Sequence, residues 1–138
     1  MKKIKIKLNG GIMPTRAHTT DAGLDLYAPQ RCVIHANSWM AIDTGVHVAV
    51  PEGYVGMITS KSGLMSKGIT SRGTIDSGYT GSIQAVLYNH SCNRFIIEKG
   101  QKITQLVLLP IITPELELVD ELEETDRGNG GFGSTGRF

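Results

Sequence analysis

The chain has 138 residues, which is the usual size of one domain and too short for two sizeable cores. Fourteen Lys and Arg residues balance 13 Asp and Glu residues, so the overall basic field needed for nonspecific nucleic-acid or membrane binding is lacking. The N-terminus has no apolar run typical of a signal peptide or membrane span. We expect a cytoplasmic protein with no nucleic-acid or membrane partner, in which any phosphate-binding site is local.

The two cysteines, Cys32 and Cys92, do not have the spacing of metal ligands. We expect both to be reduced, small core residues rather than a disulfide. The four histidines are isolated from one another along the chain and are expected to be structural or surface residues.

Seventeen glycines interrupt the sequence every few residues and leave no long stretch with helical periodicity, which predicts an all-β chain. Strict alternation predicts a first strand from Lys3 to Leu8. Next, Leu24 and Leu26 flank Asp25, which indicates a strand with one inward or interfacial acid. The valines of Thr44 to Val50 alternate onto one face, and the turn that follows leads to a partner strand ending at Thr59.

The segment SKSGLMSKG, from Ser60 to Gly68, follows that strand directly. Its hydroxyls, lysines and unhindered glycine N–H suit an anionic ligand, and the segment can begin a single helical turn. The alternative is a plain polar loop.

The segment GTIDSGYTG, from Gly73 to Gly81, places a carboxylate and an aromatic ring three positions apart between glycines. Ile75 suits a strand, and Ser77 and Gly78 suit a turn, so Asp76 is predicted at a strand end with Tyr79 returning beside it. On this segment alone, an ordinary hairpin with a solvated acid is the alternative.

Alternation predicts another strand from Ser82 to Asn89, and Arg94 to Glu98 forms a short one. Gly100 to Pro110 is a glycine turn followed by a nearly continuous apolar run, which predicts burial on both faces. The amide of Gln105 must then find partners, as a structural clasp or as a ligand contact.

The last part of the chain is acidic and then rich in glycine. Residues Glu115 to Asp126 contain seven of the 13 acids, and Leu116, Leu118 and Leu122 suggest an edge strand that leads into a linker. Five glycines between Gly128 and Gly136 predict a tail that is mobile until it closes on something. Its hydroxyls, guanidinium and backbone N–H groups suit a polyphosphate, although composition alone is equally typical of a disordered tail.

Five segments in this order resemble the motifs of the homotrimeric dUTPase (deoxyuridine triphosphate nucleotidohydrolase) family: DAGLDLYA, SKSGLMSKG, GTIDSGYTG, GQKITQLVLLP and RGNGGFGSTG. The resemblance implies a distorted β-jelly roll of the β-clip type over residues 1–125 and a flexible arm over residues 126–138. It also implies a trimer with active sites between subunits that hydrolyses dUTP to dUMP and pyrophosphate with Mg²⁺. Such an enzyme limits uracil incorporation into DNA and supplies dUMP for dTMP synthesis.

By this resemblance, Asp76 is the catalytic carboxylate that orients the attacking water and holds the 3′-hydroxyl. Tyr79 packs beneath the deoxyribose, where a 2′-hydroxyl would clash. Main-chain groups around Thr74, Ile75 and Gln84 bind the uracil edge.

The remaining roles concern the phosphates and the metal. The family pattern implies phosphate contacts from Lys61, Ser62 and Gly63, and a place near the α-phosphate and the water for Gln105. It makes Asp25 an acid tied to metal-bound water. In the arm, Phe132 would stack over uracil, and the groups that close on the β- and γ-phosphates would be Arg127, Gly133, Ser134 and Thr135.

The sequence departs from the family pattern in its second and third motifs. Ser60 and Lys61 replace the usual Pro and Arg, so a point charge replaces a planar fork. Gly78 stands where a second Asp is common. The segment before Gly73 is short, and Thr70 is the only guess for a side chain that touches uracil.

Two alternatives to a dUTPase are a dCTP deaminase and a nucleotide-sensing trimer. A dCTP deaminase has a related fold but needs a catalytic Glu near the hairpin, and Asp76 is the only acid between Gly73 and Gly81. A nucleotide-sensing trimer would bind dUTP and signal to a protein partner, with hydrolysis incidental.

Overall fold

The computed structural model describes residues 3–138, in which short strands follow one another with brief turns. The described strands are β1 (Lys5–Leu8), β2 (Gly23–Tyr27), β3 (Cys32–Ile34), β4 (Ser38–Ala49), β5 (Tyr54–Thr59), β6 (Ile69–Ile75), β7 (Ser82–Asn89), β8 (Phe95–Ile97) and β9 (Lys102–Pro110). Over the same residues the one helix is α1 (Ser62–Met65), a single turn where the sequence allowed one. No helix in this part of the chain is long and apolar enough to cross a membrane.

Seven of the strands form one curled antiparallel sheet in the order β1-β4-β7-β6-β5-β9-β2, and β3 and β8 form a separate two-stranded ribbon. The prediction of an all-β chain is therefore confirmed. Neighbours in the sheet are mostly distant in sequence. Paired residues of β2, β5, β6 and β9 are 13 to 84 positions apart in the chain.

The alternating residues bury the faces that the sequence predicts. Ile83, Ala85 and Leu87 of β7 are fully buried, and Val46 and Val48 of β4 are nearly so. Two apolar clusters result, one against the β3–β8 ribbon and one beneath β2, β4 and β9. Together they hold the strands from which the polar residues described below project.

Four sequence expectations are wrong in this chain. The strand that ends at Thr59 is not the partner of the valine strand, because β5 pairs with β6 and β9, whereas β4 pairs with β1 and β7. Residues 111–138 contain no strand, and Leu116 and Leu118 are completely exposed, because no other part of the chain covers them. Cys92 is exposed in the bend after β7. The buried side chain of this bend is Asn89, which donates to the Asn93 carbonyl at 2.8 Å. The end of β9 is buried on one face only, since Leu109 is 45 % exposed.

Candidate active site

A cavity opens where β6 separates from β7. The two strands pair from Ile69 opposite Asn89 to Ser71 opposite Leu87, and beyond Ser71 the β6 strand pairs with β5 alone. The gap has a volume of about 250 Å³ and is lined by Ile58, Arg72, Gly73, Thr74, Ile75, Asp76, Tyr79, Gln84 and Val86. The residues predicted to hold the base and the sugar are thus brought together around one space.

A second cavity of about 250 Å³ lies between β1 and β4. Its lining includes Lys5, Lys7 and His47 but no carboxylate and no glycine-rich loop. We place the site at the β6–β7 gap, because, of these two cavities, it is the one that combines backbone from a strand end with an acid and an aromatic ring.

Asp76 and Tyr79 occupy the turn at the end of β6, as the sequence predicts. The Tyr79 N–H donates to the Asp76 carbonyl at 3.2 Å, and Gly78 between them has a φ of +87°. The Tyr79 hydroxyl donates to the Ser82 carbonyl at 2.9 Å, so the ring folds back over Gly81. A Cβ at Gly81 would lie 2.4 Å from that hydroxyl, which explains the glycine. Asp76 itself is exposed, and its carboxylate is available to solvent.

Neighbouring strands brace this turn from the β4 side. His47 Nδ1 lies 2.8 Å from the Thr80 carbonyl, and the Ser82 hydroxyl donates to Asp43. The Gly45 N–H also donates to Asp43 at 2.9 Å. The Ser82 bond, followed by the Gly45 bond, holds the pKa of Asp43 below its ordinary value.

The loop after β5 is fixed by a serine where the family pattern has proline. The Ser60 hydroxyl accepts from the Ser71 N–H at 2.9 Å and donates to the Ser71 carbonyl at 3.0 Å. The Ser60 carbonyl accepts from Gln105 Nε2 at 3.0 Å. This bond ties the loop to β9, and Gln105 Oε1 packs where a Cβ on Gly23 would lie 2.1 Å away.

Asp25 is 4 % exposed and lies directly opposite Gln105 in the β2–β9 ladder. Lys61 Nζ is 2.5 Å from Asp25 Oδ1, and Lys102 Nζ is 3.0 Å from Oδ2. Burial raises the pKa of Asp25, but the hydrogen bonds from Lys61 and Lys102 outweigh it, so the pKa lies below its ordinary value. The same bond to Asp25 raises the pKa of Lys102. The prediction of an inward acid is confirmed, and its two cations are new.

These residues do not build a metal cage of protein ligands. Within residues 3–138 there is no group of three or more His, Cys, Asp or Glu side chains that could hold a metal ion. Asp25 is a single carboxylate whose two oxygens already contact ammonium groups. This donor set fits Mg²⁺ that is carried by substrate phosphates and meets Asp25 through water, since Mg²⁺ commonly keeps several waters and few protein ligands.

The predicted phosphate residues of the loop and the tail are exposed. Ser62 and Gly63 form the start of α1, and a Cβ at Gly63 would meet nothing within 4 Å. In the tail, Arg127 Nε donates to the Gly130 carbonyl at 2.9 Å, and the other tail hydrogen bonds also join near neighbours. Phe132 is fully exposed with a φ of +48°. The tail residues Gly133, Ser134 and Thr135 are likewise exposed, so this single chain does not bring the tail to the cavity.

Some residues of the site were missed by the sequence analysis. Ile58, Arg72 and Val86 line the cavity. Counting back in twos from Asp76 along β6 would have found Arg72 on the same face, but only the strand separation shows that this face borders a cavity. The guess for Thr70 is not supported, because its hydroxyl lies 2.8 Å from His90 Nε2 and it does not line the cavity.

Comparisons with known proteins agree with this geometry. The dUTPase family model matches residues 9–136. The deoxyuridine 5′-triphosphate nucleotidohydrolase of Clostridium tetani is 42% identical over 98% of this chain and 96% of its own length. The corresponding protein of Kluyveromyces lactis is 44% identical over 98% of this chain and 93% of its own.

Two solved structures are also similar. The Staphylococcus bacteriophage 80alpha dUTPase with dUPNHPP has a TM-score of 0.92 at 36% identity and covers 99% of this chain and 100% of its own. A mutant dUTPase of phage phi11 of S. aureus, described as showing the coordination of a structural Mg(II) ion, has a TM-score of 0.82 at 32% identity. It covers 89% of this chain and 100% of its own. These likenesses confirm the expected jelly-roll fold, and the chain belongs to the dUTPase family.

Proposed function

We propose that this chain is a dUTP diphosphatase, which hydrolyses dUTP to dUMP and pyrophosphate. The observation that carries the proposal is the β6–β7 cavity with Asp76 and Tyr79 at the adjoining strand end. Family membership supports the same activity. The comparisons do not favour the sensing trimer, and the dCTP deaminase is disfavoured because the cavity lining has no Glu.

In the proposed complex the uracil enters the gap between β6 and β7. Thr74 and Ile75 pair with β5 on one edge, and their other backbone edge is available to the base where β6 has left β7. Gln84 faces this edge from β7. Tyr79 lies beneath the deoxyribose and excludes a 2′-hydroxyl. Asp76 orients the water for in-line attack on the α-phosphorus and accepts part of its proton as the attack proceeds.

The position of the phosphate residues supports an active site shared between subunits. β9 and β5 lie between β2, which carries Asp25, and β6, which leads to Asp76. With strands about 4.8 Å apart, the axes of β2 and β6 are separated by about 14 Å across the sheet. The two carboxylates are also offset along the strands, because Gln105 pairs with Thr59 whereas Ile75 pairs with Gly56. At this distance, the lysines that contact Asp25 cannot reach a phosphate that lies beside Asp76 of the same chain.

We therefore infer a homotrimer in which one subunit supplies Asp76 and Tyr79, and another supplies Lys61, Ser62, Gly63 and Gln105. The tail of a subunit other than the one that holds Asp76 closes the site. Phe132 then covers the uracil, and Arg127, Gly133, Ser134 and Thr135 bind the outer phosphates. Mg²⁺ on the phosphates, next to Asp25 through water, offsets negative charge as the α-phosphorus is attacked.

We further propose that the protein acts in the cytoplasm. The two cysteines are free, which suits a reducing cytoplasm. In that compartment the activity limits uracil in DNA and provides dUMP for dTMP synthesis.

The test is a hydrolysis assay with purified protein and Mg²⁺, in which dUTP is compared with UTP, dCTP and dTTP. We expect dUMP and pyrophosphate from dUTP, a kcat/KM for the other three that is lower by at least about a hundredfold, and loss of activity with EDTA. Tight binding of dUTP without any turnover would overturn the enzyme and leave the sensor.

A further inference from the structure

We propose that Lys102 is a further substrate-binding residue, which together with Lys61 forms a two-cation site for the triphosphate on the Asp25 carboxylate. This inference rests on the proposed function, since the anion in question is the triphosphate of dUTP. It adds a residue from the start of β9 to the loop residues already expected to bind phosphate.

Three polar groups from separate parts of the chain meet at this point. Lys61 approaches Asp25 Oδ1 from the loop after β5, and Lys102 approaches Oδ2 from β9. Lys102 pairs with Tyr27, two residues from Asp25, across a register shift between Leu26 and Tyr27. That irregularity lets the Lys102 side chain reach diagonally to the carboxylate instead of standing beside it.

The cluster holds more positive charge than the buried acid needs. One lysine is enough to neutralise Asp25, and the second gives the three groups a net charge of +1. Two ammonium groups this close to one carboxylate repel each other, so an anion that contacts both relieves the repulsion.

Both ammonium groups can still receive a ligand. The side chain of Lys61 is 28% exposed and that of Lys102 is 45% exposed, whereas that of Asp25 is 5% exposed. Each ammonium group has three N–H donors and uses one on Asp25. Asp25 therefore acts as a buried anchor that fixes two cations beside the exposed Ser62 and Gly63.

The experiment compares Lys102→Met, which keeps the apolar stem, with Lys102→Arg, which keeps the charge. Lys99→Met is the matched control, because Lys99 is an exposed lysine in the turn before β9. Dissociation constants are measured for a non-hydrolysable imido analogue of dUTP and for inorganic tripolyphosphate by calorimetry. Deoxyuridine, which has no phosphate, is measured by ligand-observed NMR.

We expect Lys102→Met to weaken both phosphate ligands by about tenfold or more, as for loss of a charge-assisted hydrogen bond, and to leave deoxyuridine unchanged. Lys102→Arg should stay within a few-fold of the wild type, and Lys99→Met should not differ from it. An equal loss for deoxyuridine and the analogue, or no loss at all, overturns the inference and leaves Lys102 a structural partner of Asp25. If the wild type fails to hydrolyse dUTP, the proposed function falls, whereas tripolyphosphate still decides the role of Lys102.

Discussion

The two ends of β5 differ in how far this chain prepares them for a ligand. At the Gly56 end, β6 has left β7 and an open cavity separates them, with Asp76 exposed at the strand end. At the Thr59 end, Ser60, Gln105 and the two lysines on Asp25 are held by a connected set of hydrogen bonds and ion pairs. The Thr59 end, where we propose phosphate binding, is thus held in place by contacts within the chain. The Gly56 end, where we propose base binding, is an open cavity.

In the proposed trimer, this difference lets one subunit serve two substrates. The fixed end offers positive charge but no catalytic carboxylate that is free, because Asp25 is occupied by lysines. The open end offers a free carboxylate but no cation from the Asp25 cluster. Neither end is expected to turn over dUTP alone, and we propose that the tail closes over the site between neighbouring subunits.

The largest expected effect is from Asp76→Asn, which breaks the open end. An amide orients water poorly and does not accept its proton, so kcat should fall by about a thousandfold. Binding of the imido analogue should weaken much less, because the cavity and the lysines remain. Glu52→Gln, in the exposed turn before β5, is the control and should retain full activity. An Asp76→Asn enzyme within tenfold of wild-type kcat would remove Asp76 from catalysis.

Truncation after Thr125 is the second test, because it leaves both ends of β5 intact. We expect the same fold and oligomeric state with kcat lowered by about a hundredfold, since closure excludes water and fixes the attack geometry. Thermal unfolding and light scattering check the fold and the assembly. A truncated protein that is monomeric or unfolded would show that the tail is part of the structural body.

Tyr79→Ala should have a smaller and more selective effect. Removing the ring makes room for a 2′-hydroxyl, so the ratio of kcat/KM for dUTP over UTP should fall by about tenfold or more. Tyr79→Phe keeps the ring and loses only the bond to the Ser82 carbonyl, so its ratio should stay near that of the wild type. An unchanged ratio in the alanine variant would remove Tyr79 from the sugar pocket.

The smallest effect concerns Asp43, which braces the turn of the open end. Its pKa is lowered in the folded state, so its contribution to stability is present above the pKa of the unfolded chain and is lost as the pH falls through the folded value. At pH 7, Asp43→Asn should lower the free energy of unfolding by less than about 1 kcal/mol, because the residue is exposed. The difference in the free energy of unfolding between variant and wild type, measured in urea titrations, should become smaller below about pH 4. A difference that grows as the pH falls would contradict the lowered pKa of Asp43 in the folded state.

Local patterns were enough to predict most of the strands and the turn at Asp76, but not β3, the start of β4 or the extent of β6. Alternation placed the buried faces of β4 and β7, and the glycines of the third segment placed Tyr79 beside Asp76. The contacts of Asp25 could not be predicted in this way, because Lys61 and Lys102 are 36 and 77 positions away and meet it only through the order of strands in the sheet.

The wrong prediction for the tail leucines and the missed cavity both depend on strand pairing. The leucines from Leu116 to Leu122 have the spacing of a strand, but a strand needs a partner edge and a surface to cover, and this chain provides neither for them. The cavity at β6 likewise depends on a change of pairing partner after Ser71, which leaves no mark in the local sequence.

The central claim is that the catalytic carboxylate and the phosphate-binding lysine that act on one dUTP come from different subunits. Chains with Asp76→Asn and chains with Lys61→Met, each weakly active alone, are coexpressed with different tags and purified on both. In a cyclic trimer that contains both variants, one junction in three joins an intact Asp76 to an intact Lys61, so we predict recovery to about one third of the wild-type kcat. If the mixed trimers are no more active than the two variants alone, both groups act within one subunit and the account is contradicted.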